Sequence, residues 1–181
     1  MAKLVSKTYG DALFDLCLEK QTMDEVEDQI KVLREVFSQN EDLTKLLNHP
    51  KITREEKVAF IQRVLRERAS DDVTGFLSII IQNGRYLDLD AIFEYFLGRV
   101  REYRNIGVAY INSAIPLRED QKEHIEKKLL STTKYVQFDI NYQVDASLIG
   151  GLVIRIGDRV VDSSIRTKLN NLSKSLVKVQ M

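Results

Sequence analysis

The hydrophobic period of this chain changes near Asn105. Before that point apolar residues recur every three or four positions, and after it two-residue alternation appears. A chain with both periods in separate halves has to fold as a helical part followed by a part that contains a sheet. With 181 residues, the length suits one large domain or two small ones. Only 8 Gly and 2 Pro interrupt it, so long helices are expected in the first half.

The first half reads as helix after helix. Val5, Tyr9, Ala12, Leu13 and Leu16 share helical spacing in the opening segment. Thr22 precedes a helix carrying Val26, Ile30, Leu33 and Phe37. A short piece holds Leu43, Leu46 and Leu47 and stops before Pro50, which disfavours helix at His49. Thr53 with Glu56 forms a capping box for a helix built on Val58, Ile61, Val64 and Leu65. Asp71 and Asp72 open the next, through Val73, Phe76, Leu77 and Ile80, with Gly84 as a left-handed cap. Asp88 is expected to cap a last helix whose Ile92, Phe93, Phe96, Val100 and Tyr103 face inward. The short connections imply an antiparallel bundle.

In the second half, residues 106–115 are rich in β-formers and a charged helix follows over 118–130. Val136, Phe138, Ile140, Tyr142 and Val144 then alternate with polar residues, as in a strand with one face buried. Gly157 supplies a tight hairpin between Leu152–Ile156 and Val160-Val161. Asp162 or Ser163 is expected to cap the final helix, which carries Ile165, Leu169, Leu172, Leu176 and Val179. The expected fold is therefore mainly α: an antiparallel helical bundle over 1–104, then a small α+β domain over 105–181.

Charge follows the same division. Residues 1–104 hold 16 basic and 19 acidic side chains, net −3, and residues 105–181 hold 11 and 8, net +3. The whole chain balances at zero, with no basic excess of the kind that holds nucleic acid. Cys17 is the single cysteine, so internal disulfides and cysteine zinc sites are excluded. No run approaches the ~20 apolar residues of a membrane-spanning helix, and the N-terminus lacks a signal-type apolar region.

The residues of chemistry are sparse. His49 and His124 read as surface side chains, Cys17 as a small buried hydrophobe. No closely spaced ligand pair suggests a metal. The stretch from Gly150 to Gly157 leads into a strand, not into a Lys-Ser/Thr at a helix N-terminus, so it is no phosphate loop; Gly150-Gly151 reads as a bend or bulge. The sequence calls for no catalytic residue, no cofactor, no metal and no small-molecule substrate. A binding or structural role leads.

The C-terminal stretch Gly150-Gly151-Leu152-Val153-Ile154-Arg155-Ile156-Gly157-Asp158-Arg159-Val160-Val161-Asp162-Ser163-Ser164-Ile165, followed by Leu169 and Leu172, closely resembles the signature of the delta subunits of F-type ATP synthases. Their mitochondrial counterpart is the oligomycin-sensitivity-conferring protein. Tyr9-Gly10-Asp11-Ala12-Leu13-Phe14 and Asn83-Gly84-Arg85 resemble other parts of that family. The sequence departs from it at Gly10, where Ala is usual, and at Ser163, where Gly is usual. The first departure is expected to loosen the opening helix by roughly 0.5–1 kcal/mol.

The resemblance implies a non-catalytic peripheral-stalk subunit, bound on the cytoplasmic side of a bacterial membrane only through its complex. It implies that the bundle grips N-terminal segments of alpha subunits, with Tyr9, Ala12, Leu13, Leu16, Gly75, Phe76, Ile79 and Ile80 as the contact. It further implies that the second half meets the C-terminal end of the b subunit. For that contact the exposed seam of the final helix is expected to contribute Leu172, Lys174, Leu176, Lys178 and Val179.

Overall fold

The computed structural model describes residues 2–66 and 68–179, with the side chains of Ala2, Lys3, Glu41, Thr44 and residues 175–179 left aside. Contacts divide the chain into two compact units, Met1–Val100 and Arg101–Met181.

The first unit is helical: α1 (Ala2–Lys20), α2 (Met23–Gln39), α3 (Glu41–Asn48), α4 (Arg54–Leu65), α5 (Asp71–Gln82) and α6 (Leu89–Tyr103). The helix ends are written in the sequence. Thr53 accepts from the Glu56 amide while Glu56 accepts from the Thr53 amide, closing the expected capping box. Ser70 caps α5 by accepting from the Val73 amide. At the other end Gly84 takes φ +70°, its amide donates to the Ile81 carbonyl and that of Arg85 to the Ile80 carbonyl. This is the reciprocal pair of a Schellman cap. Asp88 does not cap α6, because the chain is already in a 3-10 turn over Tyr86–Asp88 and Asp88 pairs with Arg85 instead.

One apolar core runs through this unit, from Leu13, Phe14 and Cys17 through Ile30, Ile61, Leu77 and Ile80 to Phe93 and Phe96. Not every residue at helical spacing turns fully inward, and Val64 and Tyr103 correct the expected core. On α1 the core face is Gly10, Leu13, Phe14 and Cys17, whereas Val5, Tyr9 and Leu16 are half-buried and Ala12 is exposed. Both stripes have helical spacing, and the aromatic Phe14 decides which turns inward. Val64 is 37% exposed because it lies on the flank of α4 that lines a groove with Val32 and Val36, beside the buried Ile61 and Leu65, and Tyr103 is 60% exposed at the last residue of α6.

The second unit comprises β1 (Ile106–Ser113), α7 (Glu119–Thr132), β2 (Gln137–Val144), β3 (Leu152–Ile156), β4 (Arg159–Asp162) and α8 (Ile165–Val179). The sheet order is β2-β1-β3-β4. β1 and β2 are parallel, as the intervening α7 requires, and the other pairs are antiparallel. Ala109, Ile111, Phe138 and Leu129 form a small core, with Ile140, Tyr142 and Ile154 packed against it. Val136 and Val144, expected inward, are exposed because they fall at the two ends of β2 beyond that core. Gly157-Asp158 makes the two-residue turn between the paired Ile156 and Arg159. Ser164, not Asp162 or Ser163, caps α8: its hydroxyl accepts from the Thr167 amide. Asp162 supports that cap by accepting from the Ser164 amide and the Thr167 hydroxyl, which holds its carboxyl below the usual range.

Candidate partner-binding surfaces

α1 and α5 run antiparallel, tied at both ends. Lys20 reaches Asp72 at 2.6 Å, and the Asn83 side-chain amide donates to the Tyr9 hydroxyl at 3.0 Å. The Asp72 carboxylate holds the Lys20 ammonium above its ordinary pKa. Between these ties lies a strip of about three helical turns, ~16 Å along α1. Its surface residues are Tyr9, Ala12 and Leu16 on one side and Gly75 and Ile79 on the other. Ile79 is 53% exposed. Gly75, one turn away, is exposed, and a Cβ there would meet nothing within 4 Å. An apolar knob beside a position without a side chain leaves a dent that a helix can fill.

Of the eight residues expected to touch the first partner, these five form the surface. Phe76 borders it, at the edge of burial, while Leu13 and Ile80 are buried in the core and hold the two helices in place. Sequence reasoning missed the ties themselves. Lys20 and Asp72 are ordinary charges in sequence, and only the fold brings them together.

In the second unit α8 presents Ile165, Leu169 and Leu172, which are 42%, 52% and 61% exposed, with Lys174 also exposed. The expected contacts Leu176, Lys178 and Val179 lie outside the described side chains. Where α8 begins, Ile165 packs against Gly150. Gly150 in turn lines an apolar cavity of about 640 Å³ with Ile115, Leu117, Ile125, Ile149 and Leu152. Ile149 stands at φ +66°, a conformation β-branched residues seldom adopt, and is 63% exposed. Gly151 takes φ +81° and lies against the Ser163 carbonyl, so the paired glycines serve the backbone turn that brings β3 beside the α8 start.

The reactive residue types are placed without reactive surroundings. His49 and His124 are exposed, and Cys17 is buried with its thiol pushed up to about 11, chiefly by burial and then by the Asp72 charge. Among the described residues no cluster of His, Cys, Asp and Glu is arranged to hold a metal. No helix among them is long and apolar enough to cross a membrane.

The fold is thus a helical unit with an apolar strip on α1 and α5, followed by an α+β unit whose final helix exposes apolar side chains, the class of a small two-unit protein without an evident catalytic centre among the described residues. Comparisons with known proteins give the family. The family model described as "ATP synthase delta (OSCP) subunit" matches residues 5–176. The chain is 63% identical to the ATP synthase subunit delta of Lachnoclostridium phytofermentans over the full length of both. It is 31% identical to that of Brevibacillus brevis, across 96% of this chain and 99% of the relative. In fold it resembles a chain of the Toxoplasma gondii mitochondrial ATP synthase hexamer, with a TM-score of 0.70 at 15% identity over 95% and 97% of the two chains. The chain belongs to the ATP synthase delta (OSCP) subunit family. It is a non-catalytic stator subunit of an F-type ATP synthase, part of the peripheral stalk, and no enzyme in its own right.

Proposed function

We propose that this subunit joins the catalytic head to the stalk by gripping alpha-subunit N-terminal segments with its first unit and the C-terminal end of the b subunit with its second. It does so on the cytoplasmic side of a bacterial membrane, and it resists rotor torque by holding both partners at once. The observation that carries the head contact is the Gly75–Ile79 dent on α5, facing Ala12 and Leu16 and closed at both ends by Lys20–Asp72 and Tyr9–Asn83. A preformed groove of this kind suits an amphipathic helix, since little ordering is left to cost affinity. The test is titration of an alpha N-terminal peptide. Ile79→Asp should abolish binding with the melting temperature nearly unchanged. Retained affinity, or collapse of the fold, overturns the assignment.

The exposed Ile165, Leu169 and Leu172 support the stalk contact on α8, with Lys174 beside them for an acidic partner. Removal of residues 174–181 should weaken b binding and leave alpha binding intact. Unchanged b affinity would move the contact to the cavity lined by Ile115, Ile125 and Ile149.

A further inference from the structure

Along α8, every side chain from Lys168 to Lys174 is exposed, the apolar Leu169 and Leu172 included. The small core of Ala109, Ile111, Leu129 and Phe138 takes no residue from this helix. The ties to the sheet lie instead at the helix start. Ser163 donates both its amide and its hydroxyl to the Leu152 carbonyl, each at 2.9 Å. The Ile165 amide donates to the Gly150 carbonyl at 2.9 Å, and Ser164 between them is fully buried.

Two carboxylates organise this turn. Asp162 accepts from the Ser164 amide at 2.8 Å and from the Thr167 hydroxyl at 2.7 Å, while the Ser164 hydroxyl accepts from the Thr167 amide at 3.2 Å. Asp162 thus fixes both the cap residue and the residue it caps. Asp145 accepts from the Ser147 amide at 3.0 Å, and the Ser147 hydroxyl accepts from Arg166 at 3.2 Å. Both carboxyls are held below the usual range, Asp162 chiefly by its bond from Ser164 and Asp145 by its bond from Ser147, and the Arg166 charge adds to both. Asp158, the other acid of the hairpin, is exposed at the opposite end of β4.

A helix of 15 residues is marginal in water when nothing packs on it, because its nucleus is costly. α5 is kept helical by its buried face, with Val73, Leu77 and Ile80 in the core. α8 has no such face from Lys168 to Lys174, so its start has to hold it. We propose that Asp162 is a positioning residue for the stalk partner: it touches no partner itself, but through Ser164 and Thr167 it keeps α8 formed and aimed before binding. This rests on the assignment of Leu169 and Leu172 to the stalk contact. A preformed helix leaves little ordering to be done on binding, so loss of Asp162 weakens the complex without removing a contact side chain.

The test uses the full chain, with amide hydrogen exchange over α8 and titration of a peptide from the C-terminal end of the b subunit. Asp162→Ala should speed exchange of the Lys168–Lys174 amides by about tenfold and weaken the peptide by about tenfold, with thermal unfolding of the sheet little changed. Asp162→Asn, which keeps an acceptor for the Ser164 amide, should recover part of both. Thr167→Val, which removes one hydroxyl, should show both effects to a smaller degree, and it decides the matter if Asp162→Ala fails to fold. Leu172→Ala should weaken the peptide without speeding exchange, since alanine is the better helix former. Unchanged exchange in Asp162→Ala overturns the proposal. Faster exchange with unchanged affinity overturns it too. If Leu172→Ala also leaves affinity intact, the assignment of α8 to the stalk is at fault; if it weakens the peptide, that assignment stands and only the role of Asp162 falls. Affinity lost only together with cooperative unfolding of the sheet, in both Asp162→Ala and Thr167→Val, makes Asp162 a merely structural residue and overturns the proposal equally.

Discussion

Tyr95 lays its ring against Gly10, so close that a Cβ on Gly10 would overlap the ring, and its hydroxyl donates to Asp11 at 3.0 Å. The glycine that departs from the usual alanine is therefore a contact surface for α6. Its cost in helix propensity is offset by an aromatic ring packed on bare backbone. Gly10→Ala should lower stability by about 1–2 kcal/mol, although alanine is the better helix former, because overpacking outweighs propensity. Thermal unfolding of the single variant and of Gly10→Ala with Tyr95→Ala checks it. The two changes should be clearly less than additive. A Gly10→Ala protein more stable than the parent would show that the ring moves aside freely.

In the second unit the glycines should rank by what surrounds them. A Cβ on Gly151 would meet the Ser163 carbonyl oxygen at 2.5 Å, and its φ is +81° as well. Gly157 has φ +55° with open space around it. Gly157→Ala should cost about 1 kcal/mol, from conformation alone, and Gly151→Ala at least twice that, because backbone cannot swing away as a side chain can. Urea unfolding followed by a probe in the sheet gives the order, and equal costs would contradict it.

Cys17 is buried beside Asp72, and its thiol is held near 11 against 9.0 for the free group. The folded state therefore keeps the proton when the unfolded chain has released it. This contribution is intact below pH 9 and is lost as pH rises from 9 through 11. Cys17→Ala should remove that part of the alkaline decline, seen as a difference between the two proteins' stability profiles. Iodoacetamide should modify the native protein far more slowly than the urea-unfolded chain at pH 8. Equal rates would place the thiol at the surface.

The fragment 1–104 should fold alone. The bundle has its own core from Leu13 to Val100, and Asn105, just past α6, takes φ +54°, which ends the helix there. Limited proteolysis should yield a stable fragment ending near that residue. A fragment 1–104 without cooperative thermal unfolding would show that the bundle needs the second unit.

What the sequence determined by itself is local. The capping box at Thr53 and Glu56, the Gly84 cap, the Gly157 turn and the alternation around Phe138 each depend on residues within a few positions of one another. Their outcome is decided by backbone sterics and nearby hydrogen bonds, which a linear pattern contains. The family resemblance of residues 150–165 is legible for the same reason. The tertiary structure decided which of two equally periodic stripes turns inward. On α1, Val5-Tyr9-Ala12-Leu16 and Gly10-Leu13-Cys17 both satisfy helical spacing, and only the packing of Phe14 and Tyr95 selects the second. It decided too that Leu13 and Ile80 support the groove while Ile79 lines it, and that Val64 faces Val32 and Val36 instead of the core. Helical periodicity fixes the angles between side chains on one helix. Burial depends on where the neighbouring helices lie, and contacts such as Lys20–Asp72 and Asn83–Tyr9, which join positions far apart in the chain, exist only once the bundle has closed.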